Sequence, residues 1–183
     1  MNKILLCAVM GLLVLGGCQP KEESNNQTDP SAGITSQRKE AARKLTAQSV
    51  VLLGQKDYQG AVGSLDAAIK ADPTDQDPYL ILGQILLKAG EFQRAADFLD
   101  AAVKNFPDNG MIFYMLSIAN QMSGKKLPAV LAARRSFEIF KDANDQDNAQ
   151  KSALLLQQII NAPEGSSGTM EKPVMPAANA VRK

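Results

Sequence analysis

Between Gln76 and Asn109 the apolar residues fall into two runs with helical spacing. Tyr79, Leu82, Gly83 and Leu86 stand at i, i+3, i+4 and i+7, on one face of a helix, and Ala95, Leu99 and Ala102 do the same for a second. Gly90 lies between the runs, where the chain must reverse. Pro107 ends the second run, because a proline has no N–H with which to continue the backbone ladder. The pattern predicts an antiparallel helical pair that approaches most closely at the small residues Gly83 and Ala95.

The same pattern recurs 34 residues to either side. Tyr79 aligns with Leu45 and Phe113, Ala95 with Ala61 and Ala129, Leu99 with Leu65 and Ala133, and Ala102 with Ala68 and Ser136. Pro107 aligns with Pro73 and Phe92 with Tyr58, but the register also has departures: Ser49 and Ser117 stand at the Gly83 position, Lys126 at the Phe92 position and Lys141 at the Pro107 position. A unit of this length, with a large aromatic, Leu-Gly, a second large residue, Ala-x3-large and a closing proline, resembles the tetratricopeptide repeat. Three repeats are predicted, at about 42–75, 76–109 and 110–143, the outer two degenerate as end repeats are.

The resemblance implies an all-α fold, a right-handed solenoid of three helical hairpins. The first helix is expected from about residue 37, with Ser36 as its N-cap, and the segment from Asp72 to Pro78 is dense in helix stop and start signals. One further amphipathic helix, about 147–161, carries Ala149, Leu154, Leu155, Leu156, Ile159 and Ile160 and is read as a C-terminal capping helix over the last repeat. The repeat domain thus spans 36–161. Residues 162–183, rich in Pro, Gly, Ser and Ala, are expected to be a disordered tail.

Residues 1–17 read as a lipoprotein signal peptide: Lys3 is followed by an uncharged apolar run that is too short to span a bilayer. It ends in Leu15-Gly16-Gly17-Cys18, which resembles the lipobox of bacterial lipoproteins. The resemblance implies lipid attachment at Cys18, and Gln19, where an Asp would retain the protein in the inner membrane, implies the outer membrane, facing the periplasm. Several acyl chains would anchor it firmly, since each buried methylene contributes about 0.8 kcal/mol. Residues 18–35 are polar and read as a flexible tether.

Composition then excludes several chemistries. The chain has no histidine, and of its two cysteines Cys7 leaves with the leader and Cys18 is acylated, so no thiol remains for a disulfide, a redox couple or a metal. No metal site, cofactor or catalytic centre is expected. Charges are nearly balanced, with 20 Lys and Arg against 19 Asp and Glu, and nothing points to nucleic acid. Glu91, Asp97, Asp100 and Asp108, the acids nearest the best repeat, have no nucleophile or base beside them, so an enzyme is disfavoured.

In tetratricopeptide repeats the ligand meets residues of the first helix of each hairpin on the concave side. Carried over, the partner-binding groove comprises Val50 and Leu53 in repeat 1, Leu80, Gln84 and Leu87 in repeat 2, and Met111, Tyr114, Ile118 and Met122 in repeat 3. This set is mostly apolar, and Thr46, Val50 and Met111 stand where a carboxylate-gripping subgroup would need Lys, Asn or Arg. The groove therefore suits an amphipathic helix or an extended apolar segment of a protein partner. The expected function is a membrane-anchored scaffold in the bacterial cell envelope, in the assembly of a pilus, secretion or envelope complex. The alternative is a homo-oligomeric structural subunit without a dedicated ligand.

Overall fold

The structure, a computed structural model, describes residues 30–163. The leader, Cys18, most of the tether and nearly all of the tail lie outside the described residues. Among the described residues there are seven helices: α1 (Pro30–Gly54), α2 (Tyr58–Ala71), α3 (Asp77–Lys88), α4 (Phe92–Asn105), α5 (Gly110–Met122), α6 (Lys126–Asp142) and α7 (Gln146–Asn161). Each packs chiefly on its neighbours in the chain, and α3 also reaches α5. The result is an all-α solenoid of three hairpins, α1/α2, α3/α4 and α5/α6, followed by the single helix α7.

Helix starts are set by short polar side chains. Asp57 accepts from Gly60 N at 2.9 Å, Asn109 from Met111 N and Ile112 N at 3.0 and 3.1 Å, and Asp145 from Asn148 N at 3.1 Å. These bonds satisfy N–H groups that a helix start leaves without partners. Before α3, Asp75 accepts from Asp77 N at 3.1 Å, and Pro78 occupies the first turn, where its missing N–H removes no helical bond.

One device turns the chain in all three hairpins. Lys56, Gly90 and Gly124, spaced by 34 residues, have φ of 63°, 77° and 76°. The N–H of the next residue in each case bonds the carbonyl five residues earlier: Asp57 to Leu52 at 2.9 Å, Glu91 to Leu86 at 3.0 Å and Lys125 to Asn120 at 2.8 Å. This is the Schellman closure of a helix, which needs a left-handed residue. The α6–α7 turn repeats it with Asn144 at φ 57° and Asp145 N bonded to Phe140 O at 2.9 Å.

Helix α1 starts at Pro30, earlier than the expected start near Ser36, so the tether reading of 18–35 is corrected for residues 30–35. Ser36 is no cap; its hydroxyl donates to Gly33 O at 2.8 Å from inside the helix. A polar composition does not by itself break a helix, and after Pro30, which suits a first turn, no proline follows to stop one.

The core runs through all the hairpins. Leu65, Leu99, Ile112, Met115 and Ile159 are fully buried. Tyr79 of α3 stacks on Phe98 with ring centroids 5.8 Å apart and meets Phe106 edge-on at 5.1 Å, which ties the two helices of the middle hairpin together. Ser49 and Ser117, the serines in the Gly83 register, are buried and donate to Thr46 O and Tyr114 O at 2.6 and 2.8 Å. Each hydroxyl is thus satisfied by its own helix, so serine substitutes for glycine there without an orphaned polar atom. Helix α7 buries Ala149, Ser152, Leu155 and Ile159 and turns Gln150, Gln157, Gln158 and Asn161 to solvent.

Candidate functional site

The nine groove positions do not form one surface. Leu80, Leu87, Met111, Tyr114 and Ile118 are buried members of the core, which corrects their assignment to a partner-binding groove. The reason is visible at α5, where every residue from Gly110 to Gln121 except Phe113 is buried, with α3, α4 and α6 packed around it. Apolar residues on the first helix of a hairpin are used here to join neighbouring helices. Burial also pushes the Tyr114 phenol above its ordinary pKa, because the ionised form would lose water. Of the remainder, Met122 is half-buried at the end of α5, Val50 is 54% exposed on α1, and Leu53 and Gln84 are half-buried.

Leu53 and Gln84 meet in a crevice between the first and second hairpins, about 740 Å³ in volume. Its walls are apolar: Tyr58 and Val62 of α2 face Ile81 and Ile85 of α3. Tyr58 is 60% exposed although it is a large apolar residue, whereas Phe92, its counterpart 34 residues on, is half-buried against the core. The rim is charged, with Lys88 and the Glu91–Arg94 ion pair at 2.6 Å.

A second crevice, about 390 Å³, opens between the second and third hairpins. It is the first one moved on by one repeat: Val62 becomes Ala96, Leu86 becomes Asn120, Glu91 becomes Lys125 and Arg94 becomes Pro128, each 34 residues later. The chemistry changes from apolar to polar, since Asp97, Asp100 and Asn120 line it. Asp97 accepts from Gln93 Nε2 at 2.8 Å, and Asp100 lies 3.7 Å from Lys104.

At the third junction the same register is used for sealing. Lys126, in the position of Tyr58 and Phe92, donates its ammonium to Ile160 O at 3.0 Å and to Ala162 O, the last carbonyls of α7. A cation there complements the negative end of a helix. On the opposite edge lies a cleft of about 660 Å³ beside Pro107 and Phe140, across which Asn109 Nδ2 donates to Gln76 Oε1 at 2.7 Å.

Sequence reasoning did not single out Tyr58 at the first junction or Lys126 at the third. At Lys126 the signal was a departure from the repeat, which looks like degeneracy until the junction is seen in space. Among the described residues no group of three or more His, Cys, Asp or Glu is placed to hold a metal ion.

Fold and crevices together define a helical-hairpin repeat protein with lateral clefts between its hairpins. The family model of the tetratricopeptide repeat matches residues 52–116, the middle hairpin with parts of its neighbours. No protein of curated function matches the chain. Among solved structures, MamA (41-end) from Desulfovibrio magneticus RS-1 is similar at 19% identity and a TM-score of 0.49, over 65% of this chain and 73% of that one. A crystal structure of MamA protein is similar at 20% identity and a TM-score of 0.46, over 70% and 74%.

Proposed function

We propose that this chain is a membrane-anchored scaffold that holds another protein at the bacterial cell envelope, in the assembly of a pilus, secretion or envelope complex. The observation that carries the protein-binding half is the crevice between the first two hairpins, where Tyr58 stands 60% exposed over Val62, Ile81 and Ile85. A large aromatic at the mouth of an apolar cleft is the kind of anchor that interfaces bury. The repeat family whose model matches 52–116 is one that binds proteins.

The anchoring half rests on the sequence ahead of the described residues. Leu15-Gly16-Gly17-Cys18 follows an uncharged run, and Gln19 favours the outer membrane, periplasmic side. Among the described residues no helix is long and apolar enough to cross a membrane. Lipid on Cys18 would hold the domain at the surface instead.

Each half has its own test. Metabolic labelling with a fatty-acid analogue should mark the parent and leave Cys18→Ser unmarked; equal labelling removes the anchor. A photo-crosslinking amino acid in place of Tyr58 should trap one discrete envelope protein, and one in place of Gln157 on α7 should trap none. Adducts formed only with a second copy of the chain would make it a homo-oligomeric structural subunit, and no adduct at Tyr58 would remove the scaffold reading.

A further inference from the structure

The first crevice and the point where the chain leaves α7 stand on the same edge of the array. Lys126 occupies the register position of Tyr58, two repeats on, and it bonds Ala162 O at the end of α7. The twenty residues after Pro163, which lie outside the described residues, therefore set out from the edge on which the first crevice opens.

Distance and length decide whether they can reach it. Helix α3 packs directly on α5, so one repeat advances the array by about one interhelical distance, roughly 8–10 Å, and the two repeats from Lys126 back to Tyr58 cover about 20 Å. The eleven residues from Pro163 to Pro173 span about 34 Å when extended at about 3.1 Å each. The reach is ample.

What they carry fits the cleft. Pro173-Val174-Met175-Pro176 is the bulkiest apolar run after Pro163. Prolines three apart share one face of a polyproline helix, the form that docks on aromatic-lined grooves. Tyr58 offers the exposed aromatic ring, and Val62, Ile81 and Ile85 offer apolar walls for Val174 and the adaptable Met175. Glu171 and Lys172, just ahead of the run, bring both signs of charge to a rim that carries Lys88 and the Glu91–Arg94 pair. The second crevice does not suit the run, because an apolar segment there would cut the carboxylates of Asp97 and Asp100 off from water.

We infer that residues 173–176 seat in the first crevice and that the protein partner must displace them. The inference rests on reading that crevice as a binding site and adds an internal competitor to it. A connection this short holds the segment at an effective concentration on the order of millimolar, so even weak docking keeps the cleft covered until the partner binds.

The test uses the purified full chain with p-benzoylphenylalanine in place of Tyr58. Irradiated in dilute solution, it should form an adduct within one molecule that mass spectrometry maps to residues 170–176. Val174→Asp with Met175→Asp should abolish that adduct and leave the melting temperature unchanged, because a carboxylate docked in an apolar cleft loses its water. In envelopes the same double variant should raise capture of the envelope protein several-fold. Methyl-¹³C methionine labelling reads the chain with its tyrosine in place: the Met175 methyl signal should carry a ring-current shift that Tyr58→Ala removes.

The inference is overturned if adducts map elsewhere, form only between two copies or survive the double aspartate variant. It is equally overturned if the Met175 methyl is indifferent to Tyr58→Ala, or if the double variant captures the envelope protein no better than the parent. An envelope adduct at Tyr58 without the internal one removes this inference alone. The internal adduct, with no envelope protein captured by parent or double variant, removes the scaffold reading and leaves the crevice a seat for the chain's own C-terminal segment.

Discussion

Gly83 and Leu99 touch where the two helices of the middle hairpin cross: a β-carbon built on Gly83 would lie 2.9 Å from Leu99 Cδ2 and 3.4 Å from Met115 Cε. Leu99 is fully buried, so its methyl has little room to retreat. Two terms oppose each other on substitution. Alanine gains about 1 kcal/mol of helix propensity over glycine, which offsets a small shift of Leu99. Gly83→Ala should therefore be close to neutral, whereas Gly83→Val, larger and β-branched, should lose about 1–3 kcal/mol. Urea midpoints measure both; equal midpoints for Val and the parent would mean that the contact is looser than it stands.

That crossing was legible in the sequence, whereas the surroundings of the outward-facing apolar residues were not. A glycine on the inward face of a helix marks a close approach, and Gly83 marked this one, although the side chains nearest to it are Leu99 and Met115 rather than Ala95. Leu80 and Tyr114 carry no such mark. Their helical position says that they leave the hairpin's own interface, but not whether solvent or the next helix waits there, and α5 is enclosed on nearly every side. Lys126 was visible as a departure from the register, yet its meaning depends on α7, which only packing brings beside it.

Lys56 occupies the left-handed turn position that glycine fills in the other two hairpins, with φ of 63°. Its side chain is exposed, and a β-carbon in this conformation crowds the following carbonyl. Lys56→Gly should stabilise the chain by about 0.5–1 kcal/mol, and Gly90→Ala should cost a comparable amount. Thermal midpoints moving in opposite directions would bear this out; a drop for Lys56→Gly would contradict it.

Lys126 closes the array by bonding the final carbonyls of α7, at Ile160 and Ala162. Lys126→Phe restores the residue type of repeat 2 but leaves those carbonyls to water. The global loss should be small, about 0.3–1 kcal/mol, and concentrated at the helix end. Hydrogen exchange should quicken at the amides of Ile160 and Asn161 and stay unchanged in α3. Uniform acceleration along the chain would instead make Lys126 part of the global core.

Charge placed at the two kinds of apolar position separates core from surface. Leu80 is 2% and Tyr114 4% exposed, so a carboxylate at either must leave water with no cation to meet it, which costs several kcal/mol. Against a total stability of roughly 5–15 kcal/mol for a domain, Leu80→Glu and Tyr114→Glu should lower the urea midpoint sharply and reduce helicity at 37 °C. Tyr58, at 60% exposure, has no such constraint, and Tyr58→Glu should stay within about 0.5 kcal/mol of the parent while its crevice loses the capture of the envelope protein. Circular dichroism, urea melts and crosslinking from a neutral reporter at Gln59 read the three variants together. If Leu80→Glu and Tyr114→Glu fold as well as the parent and lose the partner, the binding surface is the concave groove after all; if Tyr58→Glu unfolds the chain, Tyr58 is a core residue and the first crevice holds no partner.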